Sequence, residues 1–388
     1  MLRAGLAVAL VVGWPVPAAA APACVPPSGR VAAGVPFEVA AYAPGRLSGL
    51  ATGAGVRVAV LDSGVDPRHP HLRGRVAAGR DLLRGGVDGR RDCVGHGTGV
   101  ASVIAGRPVA GSGFRGLAPD VTIVPVRVSE QSDAGGAVVG SRGSAAQFAE
   151  AIEWAAGRAQ VINISLVMTE DDVRVRRAVA AAVGAGVVVV AAAGNAGRVG
   201  DGNPVPFPAA YPGVIGVGAV TAEGRRADYS QWGPWVDLVA FGDGVTVAAP
   251  GGGHRAARGT SFAAPYVAAT AALLRQRFPR ADPAEIGRRL VASADPSPAG
   301  SRSDEYGFGL LNPYRALTGA LPAAATGSPA AATPAPVRDA VALAQRRGQA
   351  RVRAFWFAGA VFGVLGCAGV VAAVAGRGRR RGWRPAAG

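Results

Sequence analysis

An alcohol becomes a useful nucleophile only when a base within hydrogen-bond reach takes its proton. The base in turn needs an acid that holds its ring in one tautomer. Three segments carry those parts: Val60-Leu61-Asp62-Ser63-Gly64, Gly95-His96-Gly97-Thr98, and Gly259-Thr260-Ser261-Phe262-Ala263-Ala264-Pro265. Asp62, His96 and Ser261 offer a carboxylate, an imidazole and a hydroxyl, each framed by glycines that let backbone or substrate approach closely. Singly, each has a plainer reading. An Asp after an apolar strand caps a turn, a His in a glycine-rich loop is structural, and Gly-Thr-Ser before an apolar run caps a helix. Together, in this order, they point to nucleophilic catalysis.

The elements that must position them are legible in the pattern. Val56 to Leu61, Val121 to Val128, Val161 to Leu166, Val187 to Ala193 and Val214 to Val220 are short, β-branched runs bounded by Gly, Pro or Asp. Strands buried on both faces look like this. Between them, Gly97 to Gly106, Ser144 to Gly157 and Asp171 to Gly184 have helical spacing. The expectation is an α/β fold with a mostly parallel central sheet covered by helices on both faces. Asp62 then follows a strand and His96 opens a helix, where open α/β sheets build their sites. Ser261 opens a long helix running to about Phe278, whose N-terminus favours developing negative charge. A further helix starts at Asp282-Pro283-Ala284-Glu285 and runs to about Ser293.

The 388 residues are 49% hydrophobic with a mean hydropathy of +0.25, and the two ends explain part of that excess. Residues 1–20 read as a secretory signal peptide. Residues 21–52 read as an extended, Pro/Gly/Ala-rich arm and 53–318 as the main domain. Residues 319–353 form an Ala/Pro-rich linker, 354–376 an uncharged run long enough to cross a bilayer, and 377–388 a basic tail. The signal peptide sets the main domain outside the cell and the tail in the cytoplasm. The net charge of +16 is mostly membrane topology, because Arg3 and nine arginines in 346–388, with no acidic residue there, supply most of it. No nucleic-acid motif accompanies it, so a nucleic-acid partner is excluded.

Of three cysteines, Cys367 lies in the apolar run, leaving Cys24 and Cys93 as an exported pair. In an oxidising compartment that pair is a disulfide candidate; lipid attachment at Cys24 is the alternative. His69 and His71 flank Pro70 and His254 follows a glycine run, so all three read as surface or turn residues. No pair has metal-ligand spacing such as His-Glu-x-x-His, and neither a metal nor another cofactor is expected.

With its Asp, His and Ser motifs in this order, the chain resembles the subtilisin-like serine proteases. The resemblance implies a triad of Asp62, His96 and Ser261, with Asn195 in Ala192-Ala193-Gly194-Asn195-Ala196-Gly197 as an oxyanion donor beside the Ser261 N–H. On its own, an Asn between glycines would be a left-handed turn residue. The resemblance also makes Ser165, Leu166, Val167 and Gly194 substrate-binding, the first three as an edge segment that pairs with an extended peptide. Val167 stands where the family usually has glycine, which implies a narrower pocket. Asp92-Cys93-Val94-Gly95-His96, the closing Tyr306-Gly307-Phe308-Gly309-Leu310-Leu311-Asn312-Pro313, and the terminal segments look like a mycosin. Mycosins are membrane-anchored subtilases of type VII secretion systems. About 35 residues between Ala21 and Val56 are too few for a folded inhibitory prodomain. The expected function is cleavage of exported proteins at the membrane, associated with the type VII secretion complex. The alternatives are a scaffold of that complex with secondary proteolysis, or a general envelope protease.

Overall fold

A computed structural model describes residues 24, 29–85, 88–134, 137–198, 200–298, 300, 302–320 and 377, the side chains of 132–139 excepted. The signal region 1–20, the linker beyond 320 and the apolar run 354–376 lie outside the described residues, as does all of the tail but Arg377. No helix among the described residues is long and apolar enough to cross a membrane.

Two short helices, α1 (Phe37–Tyr42) and α2 (Pro44–Leu47), precede β1 (Arg57–Asp62), β2 (Arg80–Asp81), α3 (His96–Ala105) and β3 (Thr122–Arg127). A hairpin of β4 (Ser132–Ala134) and β5 (Ala137–Val139) leads to α4 (Ala145–Ala156), β6 (Val161–Ile164) and α5 (Val173–Gly184). Then come β7 (Val188–Ala192), β8 (Val214–Val220) and β9 (Leu238–Phe241). A second hairpin, β10 (Asp243–Ala248) and β11 (His254–Arg258), runs into α6 (Thr260–Arg277), followed by α7 (Pro283–Ser293) and α8 (Pro313–Thr318).

Seven strands form one parallel sheet in the order β2-β3-β1-β6-β7-β8-β9. The chain leaves β1 through α3 to reach β3 on one side, then crosses back through α4 to β6 on the other. Right-handed crossovers in opposite directions put α3 on one face and α4 and α5 on the other. The contacts agree: α3 packs on α6, and α4 on α5. The reversal falls between β1 and β6, so a crevice opens at their carboxyl ends. Asp62 ends β1 there, in register with Arg127 of β3. That arginine is buried inside an otherwise apolar run, with its charge met by Asp81 at 2.7 Å and by Glu130.

The arm is not simply extended. Residues 37–47 turn into α1 and α2 after Pro36 and at Pro44, and helices this short hold only when packed. Tyr42 packs on Phe241 at 5.1 Å and Tyr266 at 4.9 Å, with Phe37 edge-on to Phe241. Glu38 accepts a hydrogen bond from the Thr246 N–H at 2.9 Å, and burial pushes its carboxyl above the usual range. Upstream, the His254 N–H donates to the Arg30 carbonyl and the Ala32 N–H donates to His254 Nδ1. Cys24 is joined to Cys93 by a disulfide, which ties this arm to the loop before His96.

His69, His71 and His254 are not surface residues. They are 2%, 1% and 5% exposed and meet ring against ring at 4.9–6.0 Å. Each ring has one nitrogen paired with the backbone, His69 Nε2 with the Gly253 carbonyl, His71 Nδ1 with the Arg107 carbonyl and His254 Nδ1 with the Ala32 N–H, while His254 Nε2 is buried without a partner. Neutral imidazoles so paired pack like aromatics. Among the described residues, no group of three or more His, Cys, Asp or Glu side chains is placed to hold a metal ion.

Candidate active site

The crevice at the end of β1 brings Asp62, His96 and Ser261 into one hydrogen-bonded chain. His96 Nδ1 lies 2.7 Å from Asp62 Oδ1, and His96 Nε2 lies 2.9 Å from Ser261 Oγ. A buried carboxylate only accepts, so Nδ1 carries the proton and Nε2 is left to accept from the serine hydroxyl. Asp62 Oδ1 also accepts from the Ser63 N–H at 2.7 Å. The His96 ring packs on Phe262 at 4.8 Å and keeps 23% of its side chain exposed. Burial lowers the imidazole's affinity for protons, but the Asp62 charge and hydrogen bond outweigh it, and the pKa is raised above the ordinary 6.5.

Each residue stands where the local chain forces it. Asp62 is the last residue of β1, His96 the first of α3 and Ser261 the second of α6. Pro265 within α6 has no N–H to offer the carbonyl four residues back, which is that of Ser261. Ser165 fills the gap: its hydroxyl donates to the Ser261 carbonyl at 2.9 Å and accepts from Asn163 Nδ2 at 2.9 Å. The hydroxyl thus braces the backbone of Ser261, a contact that the reading of 165–167 as a backbone edge did not include. The sequence held a clue in the proline, but nothing in it named the partner.

Asn195 is exposed, and its Oδ1 accepts from both the N–H and the hydroxyl of Thr260 at 2.9 Å. Those two donors assign Oδ1 as the acceptor and leave Nδ2 as the free end of the amide. The left-handed turn residue is Gly194 (φ 97°), whose own N–H donates to Thr260 Oγ1 at 3.0 Å. A Cβ on Gly259 would sit 3.0 Å from Ser261 Oγ and 3.3 Å from Asn195 Nδ2. Glycine there leaves open a small space that the nucleophile oxygen and the amide share, as an acyl carbonyl requires. Thr260, Gln231 (which accepts from the Ala196 N–H at 3.2 Å) and Asp92 complete the surroundings, and the motif reading had given none of them a role.

After Ile164 the chain leaves the sheet. Leu166 and Val167 are half-buried against the core, and Leu166 lines a cleft of about 230 Å³ with Val128, Phe148 and Met168.

The profile of the subtilase family matches residues 53–309. Subtilisin E of Bacillus subtilis is 36% identical over 262 residues, covering 67% of this chain; the match spans 65% of that protein's own length. Mycosin-1 of Mycobacterium tuberculosis is 37% identical over 327 residues, covering 72% of each chain. Among solved structures, MycP1 with its N-terminal propeptide removed superposes with a TM-score of 0.65 at 33% identity, covering 74% of this chain and 98% of that one. The MycP3 protease of the type VII (ESX-3) secretion system gives 0.64 at 32%, covering 76% and 92%. The fold around the Asp62–His96–Ser261 crevice is therefore the subtilisin-like one, and the chain belongs to the subtilase family.

Proposed function

We propose that the chain is a serine endopeptidase that cleaves exported proteins. The carrying observation is the continuous Asp62–His96–Ser261 hydrogen-bonded chain, with Asn195 Nδ2 facing the same small space. Ser261 Oγ attacks the scissile carbonyl carbon while His96 Nε2 takes the hydroxyl proton. Asp62 holds the imidazolium through Nδ1–H. The carbonyl oxygen, now negative, is met by Asn195 Nδ2 and the Ser261 N–H at the start of α6. His96 returns the proton to the leaving amine as the C–N bond breaks. A water, deprotonated by the same histidine, then hydrolyses the acyl-enzyme. The 165–167 segment runs alongside an extended substrate, and Val167 and Leu166 shape the adjoining pocket.

A fluorophosphonate probe is expected to label the wild-type chain and not Ser261→Ala. Equal labelling of both, or of neither, defeats the assignment.

The setting we propose is type VII secretion, with 354–376 as the membrane anchor and the arginine-rich tail in the cytoplasm. Support comes from the likeness to MycP1, described as a serine protease and an essential component of the type VII (ESX-1) secretion system. That description also favours a second reading, a stabilising part of the complex. Secretion that persists in Ser261→Ala but fails on deletion of the chain selects it.

A further inference from the structure

The loop that delivers His96 is organised around one carboxylate with no role in the triad. Asp92 Oδ1 accepts from Ser63 Oγ at 2.9 Å, the Val94 N–H at 3.2 Å and the Gly95 N–H at 2.8 Å. Its Oδ2 accepts from the Thr98 N–H at 2.8 Å and the Thr98 hydroxyl at 2.6 Å. All five partners donate, so the carboxylate serves as an anion although burial raises its pKa.

These bonds replace the usual helix cap. The N-cap residue of α3 is Gly95, which has no side chain to offer the free N–H groups of the first turn. Asp92 takes the Thr98 N–H, and Ser63 Oγ, itself bound to Asp92, accepts the Gly97 N–H at 2.9 Å. A negative charge at this helix start is also favoured by the helix dipole. The Ser63 N–H meanwhile donates to Asp62 Oδ1. One carboxylate thus binds both the chain just after Asp62 and the turn that begins with His96.

We propose that Asp92 is a positioning residue for the reaction above, locking the end of β1 that bears Asp62 to the start of α3 that bears His96. The inference rests on the serine-peptidase reading. Displacing a base by about 1 Å from its productive place costs on the order of 10²-fold in rate. The charge acts in the same region: Asp62 and Asp92 both favour the His96 imidazolium, and Arg255 of β11, lying over Phe262, opposes it.

The test is Asp92→Asn, which keeps the shape and removes the charge and an acceptor oxygen. Hydrolysis of a short peptide substrate is followed across pH, with thermal melting as the folding control. The expected result is a folded variant with kcat lowered on the order of 10²-fold and KM little changed. Its acid limb of kcat/KM moves to lower pH, and Arg255→Gln moves that limb to higher pH. A variant that melts lower but keeps its kcat and its acid limb overturns the proposal and leaves Asp92 a structural cap. If Asp92→Asn does not fold, Ser63→Ala cuts the tie to β1 while leaving the charge. An unchanged kcat in Ser63→Ala is then the overturning result, and a fall of about tenfold at constant KM supports the lock. Failure of the wild-type chain itself to hydrolyse peptide or take the probe would defeat the serine-peptidase reading instead.

Discussion

His96 and the trio His69, His71 and His254 put the same side chain into two interiors with opposite results. All four lose water. At His96 the Asp62 carboxylate more than repays that loss and the pKa rises. In the trio the partners are carbonyls, an N–H and other imidazoles, so burial prevails and each pKa falls, His254 to about 4. Asp66 pulls the other way on His69 and is too weak to reverse it. A buried histidine becomes a titrating base only where an anion faces it; otherwise it stays neutral and packs as a ring.

The largest effect that can break this comparison is on turnover. His96→Ala should lower turnover by roughly 10⁶, the magnitude found when the serine or histidine of subtilisin is removed. His254→Asn keeps an acceptor for the Ala32 N–H, and its turnover at pH 8 should stay within a few fold of wild type. Both are read by peptide hydrolysis on protein shown to be folded. A loss in His254→Asn approaching that of His96→Ala would show that the two regions are not separate.

Sequence alone revealed one region and hid the other, for a physical reason. The triad residues sit in motifs at the ends of β1, α3 and α6, and runs such as Val188–Ala192 and Val214–Val220 announce buried parallel strands by composition. Ser144 and Gly157, which bounded a helix by spacing, are the caps of α4. The trio is assembled from segments far apart in the chain, His69 reaching Gly253 across 184 positions. No local pattern encodes that meeting. The same holds for the Ser165 hydroxyl: the motif points to a backbone edge at 165–167, and nothing local points to the Ser261 carbonyl, 96 positions away, as the partner of that side chain. Two-residue β2 and the charged strand β11 carry too little apolar pattern to be seen, and β9 is four residues long. In α1 and α2, packing on Phe241 and Tyr266 decides the conformation over a composition that reads as extended.

An intermediate effect sharpens the comparison, because a disulfide joins the two regions. Cys24 belongs to the arm that rests on His254, and Cys93 lies three residues before His96. The bridge closes a separation of 69 residues, for which the chain-entropy model gives about 4 kcal/mol. Cys93→Ser should lower the denaturant midpoint and speed amide exchange at Ala32, with a smaller fall in turnover. Reduction that leaves the midpoint unchanged, or peptide mapping that finds both thiols free, removes the link.

The smallest expected effect is the pH dependence of stability, and its sign differs between the two regions. For His254 the folded pKa of about 4 lies below the ordinary 6.5. Between those values the unfolded chain binds a proton that the folded chain refuses, so stability is complete above about pH 6.5 and drains away as pH falls toward 4. At about 1.4 kcal/mol per pH unit, His254 contributes at most about 3 kcal/mol to that loss, and His69 and His71 act in the same direction. His96 does the reverse: its raised folded pKa adds stability below 6.5 that is lost as pH rises through the folded value. Denaturant midpoints measured every half unit from pH 7.5 to 4 should therefore fall more steeply in wild type than in His254→Asn. The acidic side chains titrate alike in both proteins, so the difference between the curves isolates the buried ring. Parallel curves would mean that His254 takes its proton without disturbing the arm, and the contrast with His96 would then be one of packing alone.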